Sequence, residues 1–157
     1  MSDATRPDAI VDEVDAAGFH SVLGYQQIAW EDGRSVLTVE LQPHHMNLAG
    51  VIHGGVLTSL LDIAMALAGT YCPYPGRMRK AITLSLTTTF TGQARSGGIT
   101  VTGIKRAGGS RIFNGTGEIH DADGQLLAVG EGVFRIRSGS EALEGVAIPG
   151  TDEPNER

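Results

Sequence analysis

The sequence predicts an α+β fold in which one long helix is buried against an antiparallel sheet of roughly six strands. Three observations support this prediction: an apolar run of helical length over residues 54–71, alternating apolar and polar segments on both sides of it, and turn signals between those segments. A helix that is apolar on most sides needs a surface to cover it. A sheet of this size covers the helix only if it curls around it.

Length, charge and the absence of targeting segments limit the classes of function. At 157 residues the chain is expected to form one domain with its own core. A formal net charge of −6 argues against nucleic acid or an anionic membrane as partner, because both bind basic surfaces. The N-terminus lacks the basic and apolar regions of a secretory signal, and no apolar stretch reaches the ~20 residues of a membrane span. We therefore expect a cytoplasmic protein.

The N-terminal part contains one short helix and two strands. Residues 1–7 are polar and are expected to be disordered. Apolar residues at helical spacing, followed by Gly18, predict an amphipathic helix over about residues 8–17. Two strands follow at Tyr25–Trp30 and Ser35–Leu41, and the Glu-Asp-Gly-Arg turn between them predicts a hairpin.

The long helix is expected at about Gly54–Tyr71, after a glycine-rich loop. Its apolar residues form more than a single stripe, so it should be buried on most sides. Pro73 and Pro75 terminate it. Cys72 is the only cysteine, which excludes an internal disulfide, and we interpret it as a buried thiol at the helix end rather than a nucleophile.

The remainder of the chain reads as a β-meander. Four strands are predicted, at Ala81–Phe90, Gly98–Arg106, Arg111–His120 and Leu126–Ile136. The turns between them include Asp-Ala-Asp-Gly at 121–124, a strong hairpin signal. The order of helix, two strands, long helix and four strands is that of the hotdog fold, here over residues 8–137 without an internal repeat. Residues 138–157, rich in glycine, glutamate and proline, are expected to form a flexible tail.

Asp62 is the residue of the long helix that requires an explanation. Burying a carboxylate is costly unless it is paired or protonated. Asp62 lies nearly two turns into the helix, too far from the N-terminus to cap it. It is therefore either a catalytic group or a structural carboxylate that accepts hydrogen bonds from helix or strand hydroxyls.

The residues before the long helix form a motif that resembles a known family. The motif is Asn47-x-x-Gly50-x-x-His53-Gly54-Gly55, with Asp62 nine residues after the histidine. This pattern resembles the hotdog-fold acyl-CoA thioesterases of the phenylacetate-degradation type and, more distantly, the 4-hydroxybenzoyl-CoA thioesterases. The resemblance extends from about Phe19 to Arg137.

Two positions depart from the family pattern. Gly92 and Gln93 stand where members often have proline, which affects the exit of the third predicted strand. Ala66 stands one turn beyond the acid, where some members have a hydroxyl residue, so a helper role at that position is absent. Neither departure touches the motif itself.

The resemblance implies hydrolysis of an acyl-CoA thioester at a site shared between two subunits. Asp62 of one subunit would face the His-Gly-Gly loop of the other and act as general base for water, or as a nucleophile through an anhydride. The Gly55 N–H, at the positive end of the helix dipole, is the candidate oxyanion donor, unless the glycines only permit a tight turn. Asn47 would position the water or tie down the loop. His53 would steer the thioester carbonyl or stabilise the loop.

Coenzyme A carries phosphates, which an acidic protein must meet with local positive charge. Cations flank the turn at 107–110, whose glycine and serine backbone groups are suited to donate to phosphate. The resemblance places the nucleotide near this hairpin and Thr83 at the acyl pocket; the alternative is ordinary solvated turn charges. The candidates for substrate binding are Thr83, Lys105, Arg106, Gly108, Ser110 and Arg111.

No metal and no cofactor are predicted, because His44, His45, His53 and Asp62 lack the paired spacing of a metal site. The resemblance implies a homodimer, doubled to a homotetramer. Two other functions compete with hydrolysis: a hotdog protein that only binds acyl-CoA, and a hotdog hydratase or dehydratase. Asp62 favours catalysis over binding, since a pure binder has no need of a buried carboxylate.

Overall fold

The computed structural model describes residues 18–149. The helix predicted over residues 8–17, residues 1–7 and residues 150–157 lie outside this range. The elements in chain order are α1 (Phe19–Leu23), β1 (Gln26–Glu31), β2 (Arg34–Glu40), a 3₁₀ turn (Pro43–His45), α2 (Gly54–Gly69), β3 (Arg77–Met78), β4 (Ala81–Phe90), β5 (Gly98–Gly108), β6 (Ile112–Asp121), β7 (Leu126–Ile136) and β8 (Val146–Ala147).

Six strands form one antiparallel sheet in the order β1-β2-β5-β6-β7-β4. Helix α2 lies on one face of this sheet and contacts all six strands. The sheet stays open, with β1 and β4 as its edges. The α+β fold with a long central helix, predicted from the sequence, is confirmed, and the core lies between α2 and the sheet.

A row of three glycines lets α2 lie directly on the sheet. Gly103, Gly117 and Gly130 are paired in register across β5, β6 and β7. A Cβ at Gly103 would overlap the backbone carbonyl of Ala64, and one at Gly117 would stand 2.8 Å from Leu61 Cδ2. Larger residues in this row would lift the helix from the strands, so the position of every α2 side chain depends on these glycines.

The predicted element bounds agree closely with the structure. β4 and β7 have the predicted limits, whereas α2 ends at Gly69, two residues before the predicted Tyr71. A Cβ at Gly69 would overlap the Phe113 ring, so the end of the helix sits against a large core side chain. No helix within the described range is long and apolar enough to cross a membrane.

The prediction of a flexible tail from Ser138 is wrong for residues 138–149. β8 in this segment pairs with β3, the short strand before β4. Two arginines fasten the segment: Arg77 donates to the carbonyls of Glu144 and Gly145, and Arg79 donates to those of Ser140 and Glu141. Composition alone does not show this, because the hydrogen bonds go to backbone oxygens that any sequence carries.

Candidate active site

The N-terminus of α2 is capped by the histidine of the motif. His53 is the N-cap residue, and its Nδ1 accepts a 2.8 Å hydrogen bond from the Gly55 N–H. Because Nδ1 accepts, the ring proton of the neutral imidazole lies on Nε2. The N–H expected to stabilise an oxyanion is therefore occupied in this structure. His53 and Gly55, the two residues that carry hydrogen-bond donors here, are both exposed.

Asn47 ties down the loop that leads to this N-terminus. Its Oδ1 accepts from the N–H groups of Ala49, at 2.9 Å, and Val51, at 3.2 Å. Its backbone carbonyl also accepts from the Gly50 N–H, and Gly50 adopts a positive φ of 73°. The side-chain oxygen thus holds the loop. The amide nitrogen has no hydrogen-bond partner among residues 18–149.

Asp62 projects from the middle of α2 towards the edge strand β4. Thr83 Oγ1 donates a 2.6 Å hydrogen bond to Asp62 Oδ1. Asp62 is half-buried and Thr83 is exposed in the single chain. The strand hydroxyl considered as a structural partner is therefore present, but it engages one oxygen only. Within residues 18–149 no hydrogen bond reaches Oδ2, which leaves that oxygen available to a water or a substrate.

A single chain does not bring Asp62 and the histidine loop together. Asp62 follows Gly55 by seven residues. This spacing places both on one face of α2 but about 10.5 Å apart along its axis. A carboxylate at that distance cannot reach a carbonyl held at the N–H of its own Gly55. The site residues thus fall into two groups, Asp62 with Thr83 and the loop of Asn47, His53 and Gly55.

Edge strand β4 connects the two groups. Thr83, near its start, holds Asp62, and Phe90, at its end, packs against Gly54, where a Cβ would stand 3.1 Å from the ring. The outer edge of β4 has no strand partner in the described sheet. Leu84 and Phe90 are 50% and 53% exposed, a large fraction for apolar side chains on a strand.

The three cations predicted to bind coenzyme A do not form one cluster. Lys105 Nζ lies 5.7 Å from the centroid of the Phe113 ring, on the α2 side of the sheet. Arg106 lies on the opposite face, where its Nε donates to Thr116 Oγ1 at 2.7 Å and it lines a threonine-rich groove of about 460 Å³. Arg111 lines a different pocket.

The predicted backbone donors of this hairpin close the turn. Gly108 has a φ of 140°, and a Cβ there would overlap the carbonyl of Ile112. Gly109 donates its N–H to the same carbonyl, and Ser110 is exposed at the tip. Gly108 is therefore required by the hairpin itself, which accounts for this glycine without a ligand.

The structure reveals a basic pocket that the sequence analysis missed. A cavity of about 640 Å³ is lined by Lys80, Arg111, Arg135 and Arg137, together with Ser138 and Ser140 of the C-terminal segment. The alternation Arg135-x-Arg137 at the end of a predicted strand was the available signal, since residues two apart in extended chain share a face. Lys80 and Arg111 come from other elements, so their convergence depends on the fold.

The histidines considered as metal ligands have other partners. His45 is buried, and its Nδ1 accepts from the Gln42 N–H. His44 and His45 both place Nε2 within hydrogen-bond distance of the Val22 carbonyl. Among the residues that the structure describes, no three His, Cys, Asp or Glu side chains are grouped to hold a metal ion.

The sequence profile of the thioesterase superfamily matches residues 49–128, from the loop before α2 into β7. This segment contains most of the motif and all of α2. No curated protein sequence matches the chain. Together with the structural matches below, the profile confirms the resemblance noted from the sequence.

Several solved structures share the fold. The PaaI protein of the E. coli phenylacetic acid degradation operon is 24% identical, with a TM-score of 0.72 over 85% of this chain and 94% of that one. A thioesterase from Haemophilus influenzae is 22% identical, with a TM-score of 0.72 over 81% and 87%. Zebrafish thioesterase superfamily member 2 is 22% identical, with a TM-score of 0.71 over 83% and 94%. Identities this low show a common fold only.

Proposed function

Because this chain belongs to the thioesterase superfamily, we propose that it hydrolyses an acyl-CoA thioester to a free acid and coenzyme A. The observation that supports catalysis most directly is the carboxylate of Asp62, placed in the middle of a core helix and oriented by one hydroxyl. Thr83 donates to Oδ1 at 2.6 Å, and no hydrogen bond within residues 18–149 reaches Oδ2. A protein that only binds acyl-CoA has no use for a carboxylate held in this way.

Asp62 has two possible roles in this reaction. As general base, Oδ2 takes a proton from water while the water oxygen attacks the thioester carbonyl, and the tetrahedral intermediate then expels the thiolate. As nucleophile, Oδ2 attacks the carbonyl itself and expels the thiolate, and water then hydrolyses the resulting anhydride. Both routes develop negative charge on the carbonyl oxygen, which requires hydrogen-bond donors.

The donors for this oxyanion lie at the N-terminus of α2. We propose that the substrate carbonyl displaces the His53 ring and accepts from the Gly55 N–H. The ring, once turned away, offers its Nε2 proton to the same carbonyl or to the loop. The dipole of α2 adds to the stabilisation at this end. The Asn47 amide nitrogen is suited to position the attacking water, while its oxygen holds the loop.

The site is proposed to form between two subunits through β4. When an edge strand pairs with its own copy in antiparallel fashion across a two-fold axis, the start of one strand lies opposite the end of the other. Thr83 marks the start of β4 and holds Asp62, and Phe90 marks the end and contacts Gly54. Pairing therefore brings Asp62 of one subunit towards the histidine loop of its partner. It also covers the exposed Leu84 and Phe90.

Such a composite site requires a homodimer at minimum, and we propose a homotetramer built from two such dimers. Asp62 and Gly55 lie about 10.5 Å apart along α2, the rise of seven helical residues. This distance is the reason why one subunit is insufficient. The unpaired edge of β4 supplies the surface for the partner.

The catalytic assignment is tested with Asp62→Asn. The change is nearly isosteric and removes the charge that a base or nucleophile needs, so hydrolysis of a panel of acyl-CoA thioesters should fall by at least 10²-fold. Asp123→Asn, in the exposed hairpin between β6 and β7, is the matched control and should retain full activity. Turnover like wild type in Asp62→Asn would exclude Asp62 from the chemistry. If neither protein releases free thiol from any thioester, the proposed function fails.

The composite site is tested by mixing Asp62→Ala with Asn47→Ala, once each is shown to be folded and inactive. In a mixed dimer one site carries both mutations and the other carries none. Random pairing makes about half the dimers mixed, each with one intact site of two, so refolding together should restore roughly a quarter of the wild-type activity. No recovery after proven subunit exchange would place the chemistry within one chain.

A further inference from the structure

The histidine loop, residues 47–55, is closed in part by hydrogen bonds of its own. The Asn47 side chain accepts from two N–H groups of the loop, and its backbone N–H donates to the Val51 carbonyl at 2.8 Å. The Gly50 N–H donates to the Asn47 carbonyl at 3.0 Å. The carbonyls of Ala49 and Gly50, at the turn of the loop, receive no hydrogen bond from within it.

The connection between β4 and β5 provides the donor for these two carbonyls. Arg95, in this connection, donates from Nη1 to the Ala49 carbonyl at 3.1 Å and to the Gly50 carbonyl at 3.4 Å. The preceding residue, Ala94, is buried, and its carbonyl accepts from the Ile52 N–H at 2.8 Å. Two consecutive residues of one connection therefore hold the histidine loop at two points.

The connection that bears Arg95 is itself fastened to the sheet at both ends. The Thr91 N–H donates to the Leu127 carbonyl at 2.9 Å, where the connection leaves β4. The Gly97 carbonyl accepts from the Leu41 N–H at 2.9 Å, where the connection reaches β5. Because its base is fixed in this way, Arg95 can fix the histidine loop relative to the sheet.

Arg95 differs from an ordinary surface arginine in its partners. The side chain is exposed, yet its described partners are two backbone carbonyls of one turn rather than a carboxylate. Gly50 has a φ of 73°, and a Cβ there would stand 3.5 Å from Arg95 Nη1, so the guanidinium lies directly on the turn. Ordering a long side chain costs conformational entropy, which the two charge-assisted hydrogen bonds offset.

We propose that Arg95 is a positioning residue of the candidate active site, an inference that rests on the proposed function. By holding the turn of the histidine loop, Arg95 keeps the Asn47 amide and the His53 ring where they can act on water and on the thioester carbonyl. Arg95 itself touches neither. A misplacement of such groups by about 1 Å is enough to slow a reaction strongly.

Hydrogen exchange tests the effect on the loop without any hydrolysis. In the full-length protein, Arg95→Met keeps an unbranched side chain but removes the charge and the donors. The loop should then open more often, and amide exchange in residues 47–53 should become about tenfold faster, on the scale of a hydrogen bond from a charged group. Exchange in β5, β6 and β7 should stay as in wild type. Unchanged exchange in residues 47–53 would overturn the proposal.

Steady-state kinetics test whether the position of the loop matters to the reaction. With an acyl-CoA, Arg95→Met should lower kcat by about tenfold and change KM by less than about twofold, because the affected groups act at the reacting carbonyl. Arg95→Lys should restore most of kcat, since one nitrogen makes both hydrogen bonds and an ammonium group can donate to both carbonyls. A raised KM with unchanged kcat would instead make Arg95 a substrate-binding cation. Equal kcat in Arg95→Met and wild type, or no recovery in Arg95→Lys, would likewise reject the positioning role.

Arg34→Met is the matched control, because it also removes the charge of an exposed arginine. Arg34 pairs with Glu31 and follows Gly33, whose N–H donates to the Ala68 carbonyl near the opposite end of α2. This variant should equal wild type in loop exchange and in kcat. If it lowers kcat as Arg95→Met does, the effect is one of net charge and the proposal fails. A wild-type protein that releases thiol from no thioester would reject the enzyme, whereas normal kcat in Arg95→Met beside an active wild type would reject only the role of Arg95.

Discussion

Gly103→Ala is expected to disturb both the fold and the site, because the added methyl group has no free space. Its Cβ would overlap the backbone carbonyl of Ala64 and stand 2.7 Å from the Met65 N. Backbone atoms of a buried helix cannot turn aside as a flexible side chain can. Overpacking of this kind lowers the free energy of unfolding by about 3 kcal/mol at the upper end of its usual range. Alanine has less conformational entropy than glycine in the unfolded chain, which offsets about 0.5 kcal/mol of this loss.

The free energy of unfolding should therefore fall by about 2.5 kcal/mol, which corresponds to a fall of roughly 5–10 °C in thermal midpoint for a chain of this length. Gly109→Ala is the matched control, since its Cβ would meet nothing within 4 Å and its φ lies outside the left-handed region. That variant should unfold within about 2 °C of wild type, or slightly above it. The two midpoints are compared by circular dichroism at a common heating rate.

Activity provides the second measurement on Gly103→Ala. Ala64 lies two residues from Asp62, so a helix lifted at this point also moves the carboxylate relative to Thr83. We expect hydrolysis below the midpoint to fall by about tenfold or more, as a misplacement of catalytic groups near 1 Å does. If Gly103→Ala has the stability and activity of Gly109→Ala, the glycine row does not set the distance between α2 and the sheet.

Substitutions at three further residues test single contacts. Thr83→Val should lower kcat by about tenfold and Thr83→Ser should not, because only the serine keeps a hydroxyl that donates to Asp62. The size of this effect is that of a hydrogen bond to a charged group. Equal activity of the two variants would show that the hydroxyl has no role. His53→Ala should lower the thermal midpoint by about 2–4 °C through loss of the α2 cap, and His53→Asn should restore it, since asparagine caps well. If His53→Asn recovers stability but not activity, the imidazole acts on the substrate; full recovery of both would reduce it to a cap. Arg77→Ala should increase proteolysis between residues 138 and 149 by removing two hydrogen bonds to that segment; an unchanged cleavage rate would mean that β8 pairing alone holds it.

The fold could be predicted from the sequence because hydrophobic periodicity and turn chemistry are local properties of the chain. β4 alternates apolar and polar residues from Ile82 to Thr87, and β7 follows the strong turn signal at residues 121–124; the limits of both strands were predicted to the residue. The order of the strands in the sheet could not be predicted in the same way. Pairing of β4 with β7, far apart along the chain, depends on the global curl of the sheet. The short strands β3 and β8 carry too few residues for any periodicity to appear.

The sequence singles out candidate site residues but not their geometry. The motif and Asp62 stand out because glycines and a carboxylate are unusual in and beside an apolar helix. That His53 occupies the Gly55 N–H is a consequence of a side-chain rotamer, which no spacing rule contains. The division of Lys105 and Arg106 between two faces does follow from strand alternation, and applying that rule would have separated them in advance. The convergence of Lys80 with Arg135 required the three-dimensional structure.

In the proposed dimer, strand β4 would link assembly to the chemistry of the site, since one face of the strand and its free edge would have different roles. One face supplies Thr83 to Asp62, and the other supplies Ile82 to the basic pocket. If the free edge pairs with a second copy, as we propose, the strand is fixed on that side too. Any shift of β4 would then move Thr83, and with it the Asp62 carboxylate, relative to the histidine loop of the partner subunit. We therefore expect a dimer interface through β4 to cover the exposed apolar side chains Leu84 and Phe90 of this edge strand.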